Sequence, residues 1–312
     1  MVAGPVRVSV PATSANLGPG FDTLGLALDL RDELEAEVLD AGLVVEVEGE
    51  GAGAVPLDDR HLVVRSMNVA FDALGARPTG LRLRCRNALP HARGLGSSSA
   101  AIVGGLALAR ALVVGGRDRL DDAALLDLAA GIEGHPDNVA PALYGGFVIS
   151  GTHASGAGDT GHSYFAVPSP VMPGLGVVVF VPPDGVETKA ARGLLPDVVP
   201  HADAAANAGR AALLVAALGG HPDQLVCATQ DLLHQEYRRP AMPASLALID
   251  DLRARGVPAV VSGAGPTVLA FTHPELAVDA GALLAACPAG WRALALAVCD
   301  GVRDEHGPAN PR

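Results

Sequence analysis

A two-domain α+β fold is what the sequence predicts, and three observations point there. The chain has 312 residues, room for two modest domains at roughly 150 residues each. Strand-like alternation and helix-like periodicity are interspersed along it without strict βαβ order. Residues 152–173, rich in Gly, Ser, His and Pro, separate two patterned halves as a linker would. The expected division is residues 1–163, residues 164–302, and a polar tail at 303–312 holding Gly307, Pro308 and Pro311, read as frayed.

Taken in order, residues 6–10 alternate Val-Arg-Val-Ser-Val, which places three valines on one strand face, and Pro11 is expected to end the ladder. Residues 43–48 and 81–85 alternate in the same way, so the first half reads as a sheet with one buried and one polar face. Between them residues 61–74 carry apolar side chains at helical spacing and stop at Gly75. Residues 97–112 contain Arg110 as their only charge, the pattern of a helix buried all round. Asp121 and Asp122 suit the start of a further helix over 121–132. In the second half residues 176–181 form an apolar run that reads as a buried strand. Helical patterns at 202–218, 222–233 and 244–255 follow, then strands at 259–262 and 268–272.

Composition excludes several classes of function. The net charge of −12 and the lack of any basic run argue against nucleic acid and anionic membrane surfaces as partners. Only one lysine, Lys189, accompanies the arginines. The longest uncharged stretches are broken by Pro168, Pro170 and Pro173 or by Gly263 and Gly265, so no membrane span is expected. The opening residues lack the pattern of a secretory signal, which predicts a cytoplasmic protein. Cys85, Cys227, Cys287 and Cys299 lie far apart and read as reduced, mostly buried thiols.

The strongest local signal is Pro90-His91-Ala92-Arg93-Gly94-Leu95-Gly96-Ser97-Ser98-Ser99-Ala100, a glycine and serine loop that opens into the buried helix. A helix start exposes unpaired N–H groups and the positive end of the helix dipole, so such a loop can cradle phosphate. A tight turn with serine caps explains the glycines as well, but three successive serines exceed what one cap needs. The loop is neither a Walker loop, which requires Gly-Lys-Ser/Thr, nor a dinucleotide fingerprint, which requires a third spaced glycine.

Together with two other segments this loop resembles the GHMP kinase family. The other two are Pro11-Ala12-Thr13-Ser14-Ala15-Asn16-Leu17-Gly18-Pro19-Gly20-Phe21-Asp22 and Ser262-Gly263-Ala264-Gly265-Pro266-Thr267. The opening segment and Glu133-Gly134-His135-Pro136-Asp137-Asn138-Val139-Ala140-Pro141 resemble, within that family, the branch that phosphorylates L-homoserine with ATP. The resemblance implies an N-terminal domain like ribosomal protein S5 domain 2, a ferredoxin-like C-terminal domain, ATP with Mg²⁺, a place in threonine biosynthesis, and the homodimers common among its members.

It also implies site residues. Asn16, Asp22, His135, Asp137 and Thr188 would hold the substrate, with Asp22 a natural partner for an ammonium group. Arg192 and Arg238 would take a carboxylate, with Arg239 adjacent to the second role. Residues 90–100 would hold ATP. Ser98 would ligate the metal ion with Asp127, eight residues before His135, or with Glu133 as the alternative. Asn138 stands where several relatives have an aspartate base, so His135, Asn138 and Arg192 are expected to orient and stabilise, and no general base is assigned. Two other readings remain open at this stage: a relative acting on another small alcohol such as mevalonate, and a non-catalytic ligand sensor.

Overall fold

The computed structural model describes residues 1–153, 163–186 and 188–305. The first half contains β1 (Val6–Ala15), β2 (Leu24–Leu39), β3 (Gly42–Gly49), α1 (Leu62–Leu74), β4 (Gly80–Asn87), α2 (Ser97–Leu112), a short α3 (Gly116–Arg119), α4 (Asp122–Glu133), α5 (Val139–Tyr144), β5 (Phe147–Thr152) and β6 (Tyr164–Ser169). There follow β7 (Gly176–Val181), α6 (Thr188–Arg192), α7 (His201–Gly220), α8 (Leu225–Ala228), α9 (Pro243–Ala254), β8 (Ala259–Val261), β9 (Val268–Thr272), α10 (Ala280–Ala285), β10 (Arg292–Ala297) and β11 (Arg303–Glu305).

The first sheet has seven strands in the order β11-β1-β2-β4-β3, with β5 paired to β2 and β6 to β5. One face carries the ladders Arg7 to Glu35 to Arg84 to Glu46 and Arg82 to Glu37, with ion-pair distances of 2.6 to 2.9 Å. The other face carries Val8, Val10, Leu34, Ala36, Leu83 and Cys85 into the main core, against α1 and α2. This is the half-polar sheet that the alternation predicts. Gly75 sits in the left-handed region at φ 58° and closes α1, as its position requires.

The second sheet has four strands in the order β10-β7-β9-β8. Numbered by chain order these are 4-1-3-2, the ferredoxin-like arrangement. Its central strand β7 explains the apolar run: Val177, Val179 and Val181 face the main core, while Val178 and Phe180 face a second core with Met242, Leu246 and Ile249. A strand buried on both faces has no polar positions to alternate.

Four expectations need correction. Strand β1 does not stop at Pro11 but passes through it with a register shift against β2, the local irregularity a ring without an N–H produces. Strand β6, after the expected boundary, joins the first sheet, so the chain crosses to the second sheet between residues 169 and 176. The tail is not wholly frayed: β11 pairs with β1, Arg31 holds the carbonyls of Asp300 and Gly301 at 3.0 and 2.7 Å, and residues 306–312 lie outside the described ones. Of the four thiols only Cys85 is buried, and burial pushes it up to about 12. No described helix is long and apolar enough to cross a membrane.

Candidate functional site

The glycine loop is shaped by close approach. A Cβ on Gly94 would meet the Ser262 carbonyl oxygen at 2.2 Å, and one on Gly96 would meet Thr13 Oγ1 at 1.9 Å. Both glycines are left-handed, at φ 77° and 69°. Gly96 is the N-cap of α2 and has no side chain to offer, while the Ser98 and Ser99 hydroxyls donate to Glu133 Oε1 at 2.7 and 3.0 Å instead of capping. The first-turn amides of a 16-residue helix therefore remain available to an anion.

The opening turn and the late glycine turn close over this loop. Ser262 Oγ donates to the Gly94 carbonyl at 2.6 Å, the Gly263 amide donates to the Ala15 carbonyl at 3.1 Å, and the Thr267 amide donates to the Arg93 carbonyl at 3.2 Å. Asn16 ties the turns together, its Nδ2 donating to the Gly263 carbonyl and its Oδ1 accepting from the Asp22 amide, each at 2.9 Å. Asn16, Leu17 and Asp22 all have φ between 50° and 67°. Three non-glycine residues in that region mark a strained turn held by its surroundings.

These segments surround a cleft of about 250 Å³ lined by Asn16, Ala92, Gly94, Gly96, residues 97–99, Glu133, His135, Asp137, Asn138, Arg192, Arg238, Gly263 and Ala264. Arg192 at the end of α6 grips Asp22 with both arms, at 3.0 and 2.5 Å. Arg238 is 2% exposed, donates to the Gly263 carbonyl at 3.3 Å, and has no partner for its Nε among the described residues. Burial, and then the charge of Arg192, lower its pKa. Arg192 and Arg238 face the acids Asp22 and Asp137, so the cleft offers both signs of charge within a few ångströms. His135 Nδ1 donates to Asp137 Oδ1 at 2.5 Å. Burial disfavours the charged ring, but the bond to Asp137 and the charges of Asp137 and Glu133 prevail, so the His135 pKa is raised. Asn138 Oδ1 accepts from Thr13 Oγ1 at 2.8 Å.

A second cleft, of about 280 Å³, shares Ser97 and Ser98 with the first and is otherwise lined by Asp32, Val55, Pro56, Arg60, His61, Leu62, Val63, Asn87, His91, Leu34 and Ala101. The two cavities meet at the start of α2. His61 is 6% exposed and its Nδ1 has no partner among the described residues.

The expected residues divide as follows. His91 lines the second cleft and Ala92 the first, whereas Pro90, Leu95 and Ala100 line neither. Arg93 also lines neither: it donates to the carbonyls of His91, Pro182 and Pro183 and so pins the loop to the second domain. Arg238, not Arg239, reaches the cleft, since Arg239 pairs with Glu236 and Asp250 on the surface. Asp127 is corrected: its Oδ1 accepts from the Tyr164 amide at 2.8 Å at the start of β6, and Glu133 is the carboxylate facing Ser98. Helical spacing cannot separate the two, because only the last residue of α4 reaches the loop. The side chain of Thr188 lies outside the described residues. Reading the sequence missed Asp32 and His61, which no local motif marks, and gave no role to Thr13 or Phe21 within the opening motif.

A helix start without a side-chain cap that opens between an apolar-walled cleft of the first domain and a charged cleft shared by both domains is the arrangement of a small-molecule kinase. Comparison with known proteins agrees. The GHMP kinases N terminal domain matches residues 61–146 and the GHMP kinases C terminal domain residues 204–286. The chain is 58% identical over 276 residues to the homoserine kinase of Streptomyces coelicolor, covering 88% of this chain and 87% of that one. It is 49% identical over 295 residues to the homoserine kinase of Mycolicibacterium smegmatis, covering 94% and 93%. The crystal structure of homoserine kinase from Cytophaga hutchinsonii superposes with a TM-score of 0.82 at 27% identity, covering 98% of both chains. Mevalonate diphosphate decarboxylase from Staphylococcus aureus, at 16% identity and a TM-score of 0.69, shares the fold. The chain belongs to the GHMP kinase family, and within it to the homoserine kinases.

Proposed function

We propose that the two clefts divide the reaction between them: the γ-phosphoryl group of ATP passes at the start of α2 to the terminal hydroxyl of L-homoserine, giving O-phospho-L-homoserine and ADP. The observation that carries the substrate assignment is the Asp22–Arg192–Arg238 cluster at one end of the charged cleft. An amino acid head group offers an ammonium to Asp22 and a carboxylate to the two arginines, and it exchanges their mutual ion pair for two matched ones. The hydroxyl end then extends toward Asn138 and the first turn of α2.

The adenine base is assigned to the second cleft, against Val55, Pro56, Leu62 and Val63, with the unpartnered His61 Nδ1 as its polar contact. The phosphates lie on the α2 amides, where the dipole favours negative charge. Ser98 and Glu133 offer a hydroxyl and a carboxylate side by side, a donor set suited to Mg²⁺. Bound there the ion supplies neutralisation of the β and γ phosphates.

The homoserine oxygen attacks phosphorus as the bond to the ADP oxygen breaks, and the hydroxyl proton leaves to a phosphate oxygen or to water. Asn138 cannot accept that proton and serves to orient. His135, held by Asp137, adds a hydrogen bond at the reacting end.

The test is ADP release with ATP and Mg²⁺ against homoserine, serine, threonine and mevalonate, in the native protein and Arg192→Ala. Turnover selective for homoserine, with its KM raised at least tenfold in the variant, supports the assignment. Efficient turnover of mevalonate, which has no ammonium, overturns it.

A further inference from the structure

Phe21 belongs to the opening motif, yet none of the roles above uses its ring. The ring has three close neighbours. The guanidinium carbons of Arg192 and Arg238 lie over it, 5.0 and 5.2 Å from its centroid. The imidazole of His234 is stacked on it at 4.3 Å with an angle of 9° between planes. His234 is itself fixed: its Nδ1 donates to Asp231 Oδ1 at 2.9 Å, and Asp231, with a fully buried side chain, also accepts from the amides of Leu233, His234 and Gln235.

Two like charges that must act together repel one another and need a group that attracts both. Asp22 binds only Arg192, and Arg238 has one long hydrogen bond and an orphaned Nε. The negative face of an aromatic ring within about 6 Å attracts both cations without consuming their N–H donors. A carboxylate would consume those donors. The ring therefore attracts both guanidinium groups to one place without taking up their N–H donors, those of Arg192 being engaged by Asp22.

We propose that Phe21 is a positioning residue that presents Arg192 and Arg238 jointly to the substrate carboxylate, and that the Asp231–His234 pair is its buttress. This rests on the homoserine reading of the charged cleft. Phe21 touches neither phosphate nor the reacting hydroxyl in this scheme. Its loss is felt in homoserine affinity, not in ATP affinity or in the chemical step.

The test uses the full chain. Phe21→Leu keeps an apolar side chain without a π face, and Phe21→Tyr keeps the face. His234→Phe keeps the stack without the bond to Asp231. Steady-state kinetics give KM for homoserine and for ATP, and melting curves report whether each variant is folded. The inhibition constant of 2-amino-1,4-butanediol, which has the ammonium and the hydroxyl but no carboxylate, isolates the arginine contribution. Phe21→Leu is expected to raise KM for homoserine roughly tenfold, with kcat and KM for ATP within about twofold and the diol constant unchanged. The tyrosine variant is expected to recover most of that loss, and His234→Phe to lose less than Phe21→Leu. Equal affinity for homoserine in native and Leu proteins overturns the proposal. So does an equal loss for homoserine and the diol, or a Tyr variant no better than Leu. A native protein that does not bind homoserine at all overturns the functional reading and this inference with it.

Discussion

Replacing Asp32 by Asn tests whether the wall of the nucleotide cleft carries a charge at the expense of stability. Asp32 is 5% exposed, and its Oδ1 accepts from the amides of Ala88 and Leu89 at 2.7 and 3.0 Å, where β4 turns into the phosphate loop. Burial outweighs those two hydrogen bonds and pushes its pKa up from 3.8 to about 6. A carboxyl whose pKa rises on folding binds protons more tightly in the folded state. Its penalty is therefore absent below pH 3.8, grows as pH rises, and is complete above about 6. A rise of about 2 units at 1.36 kcal/mol each makes that penalty about 3 kcal/mol at neutral pH, and about 1 kcal/mol at pH 4.5. Asparagine keeps the Oδ1 acceptor for both amides and cannot ionise. With an unfolding entropy of roughly 0.65 kcal/mol/K for a chain of this length, Asp32→Asn raises Tm by about 4 to 5 °C at pH 8 and by about 1 to 2 °C at pH 4.5. Melting curves across that pH range provide the assay. A gain independent of pH, or a loss of stability at pH 8, refutes the reasoning.

Gly96→Ala places a methyl group 1.9 Å from Thr13 Oγ1 at a left-handed φ, so ATP affinity by titration calorimetry is expected to fall at least a hundredfold while the fold persists by circular dichroism. Glu133→Gln raises the Mg²⁺ concentration for half-maximal velocity roughly tenfold, whereas Asp127→Asn shifts it less than twofold; the reverse order in a magnesium titration would restore Asp127 to the metal site. The raised His135 pKa means that its bond to Asp137 contributes most below the ordinary histidine value of 6.5 and fades as pH rises through the raised value. His135→Gln consequently lowers the urea midpoint more at pH 5.5 than at pH 8.5.

What could be read in advance follows the range of the interactions involved. Helix α2 was legible from residue 97 to residue 112 because an apolar run with Arg110 as its only charge, preceded by glycine, is a local pattern. Strand β7 was legible because burial on both faces leaves only apolar residues. The placement of β6 and β11 was not legible: β11 is three residues long and pairs with β1 at the other end of the chain, and β6, six residues long, falls within the stretch whose composition read as a linker.

The site divides along the same line. Gly94, Gly96 and the three serines announce a tight loop at a helix start because left-handed backbone and clustered hydroxyls leave a mark in sequence. The choice between Asp127 and Glu133 left none, since both are acids on one helix and only the packing of α4 against α2 decides which meets Ser98. Arg93 sat inside the loop motif and still turned away from the cleft, because the carbonyls of Pro182 and Pro183 compete for it across the domain interface. A motif thus reports which backbone must approach phosphate, while the direction each long side chain takes is settled by its acceptors. Asp32 shows what that arrangement costs. A buried carboxylate that asparagine could replace at lower cost holds the base of the phosphate loop, and proteins keep such residues where the local geometry serves the ligand more than the fold.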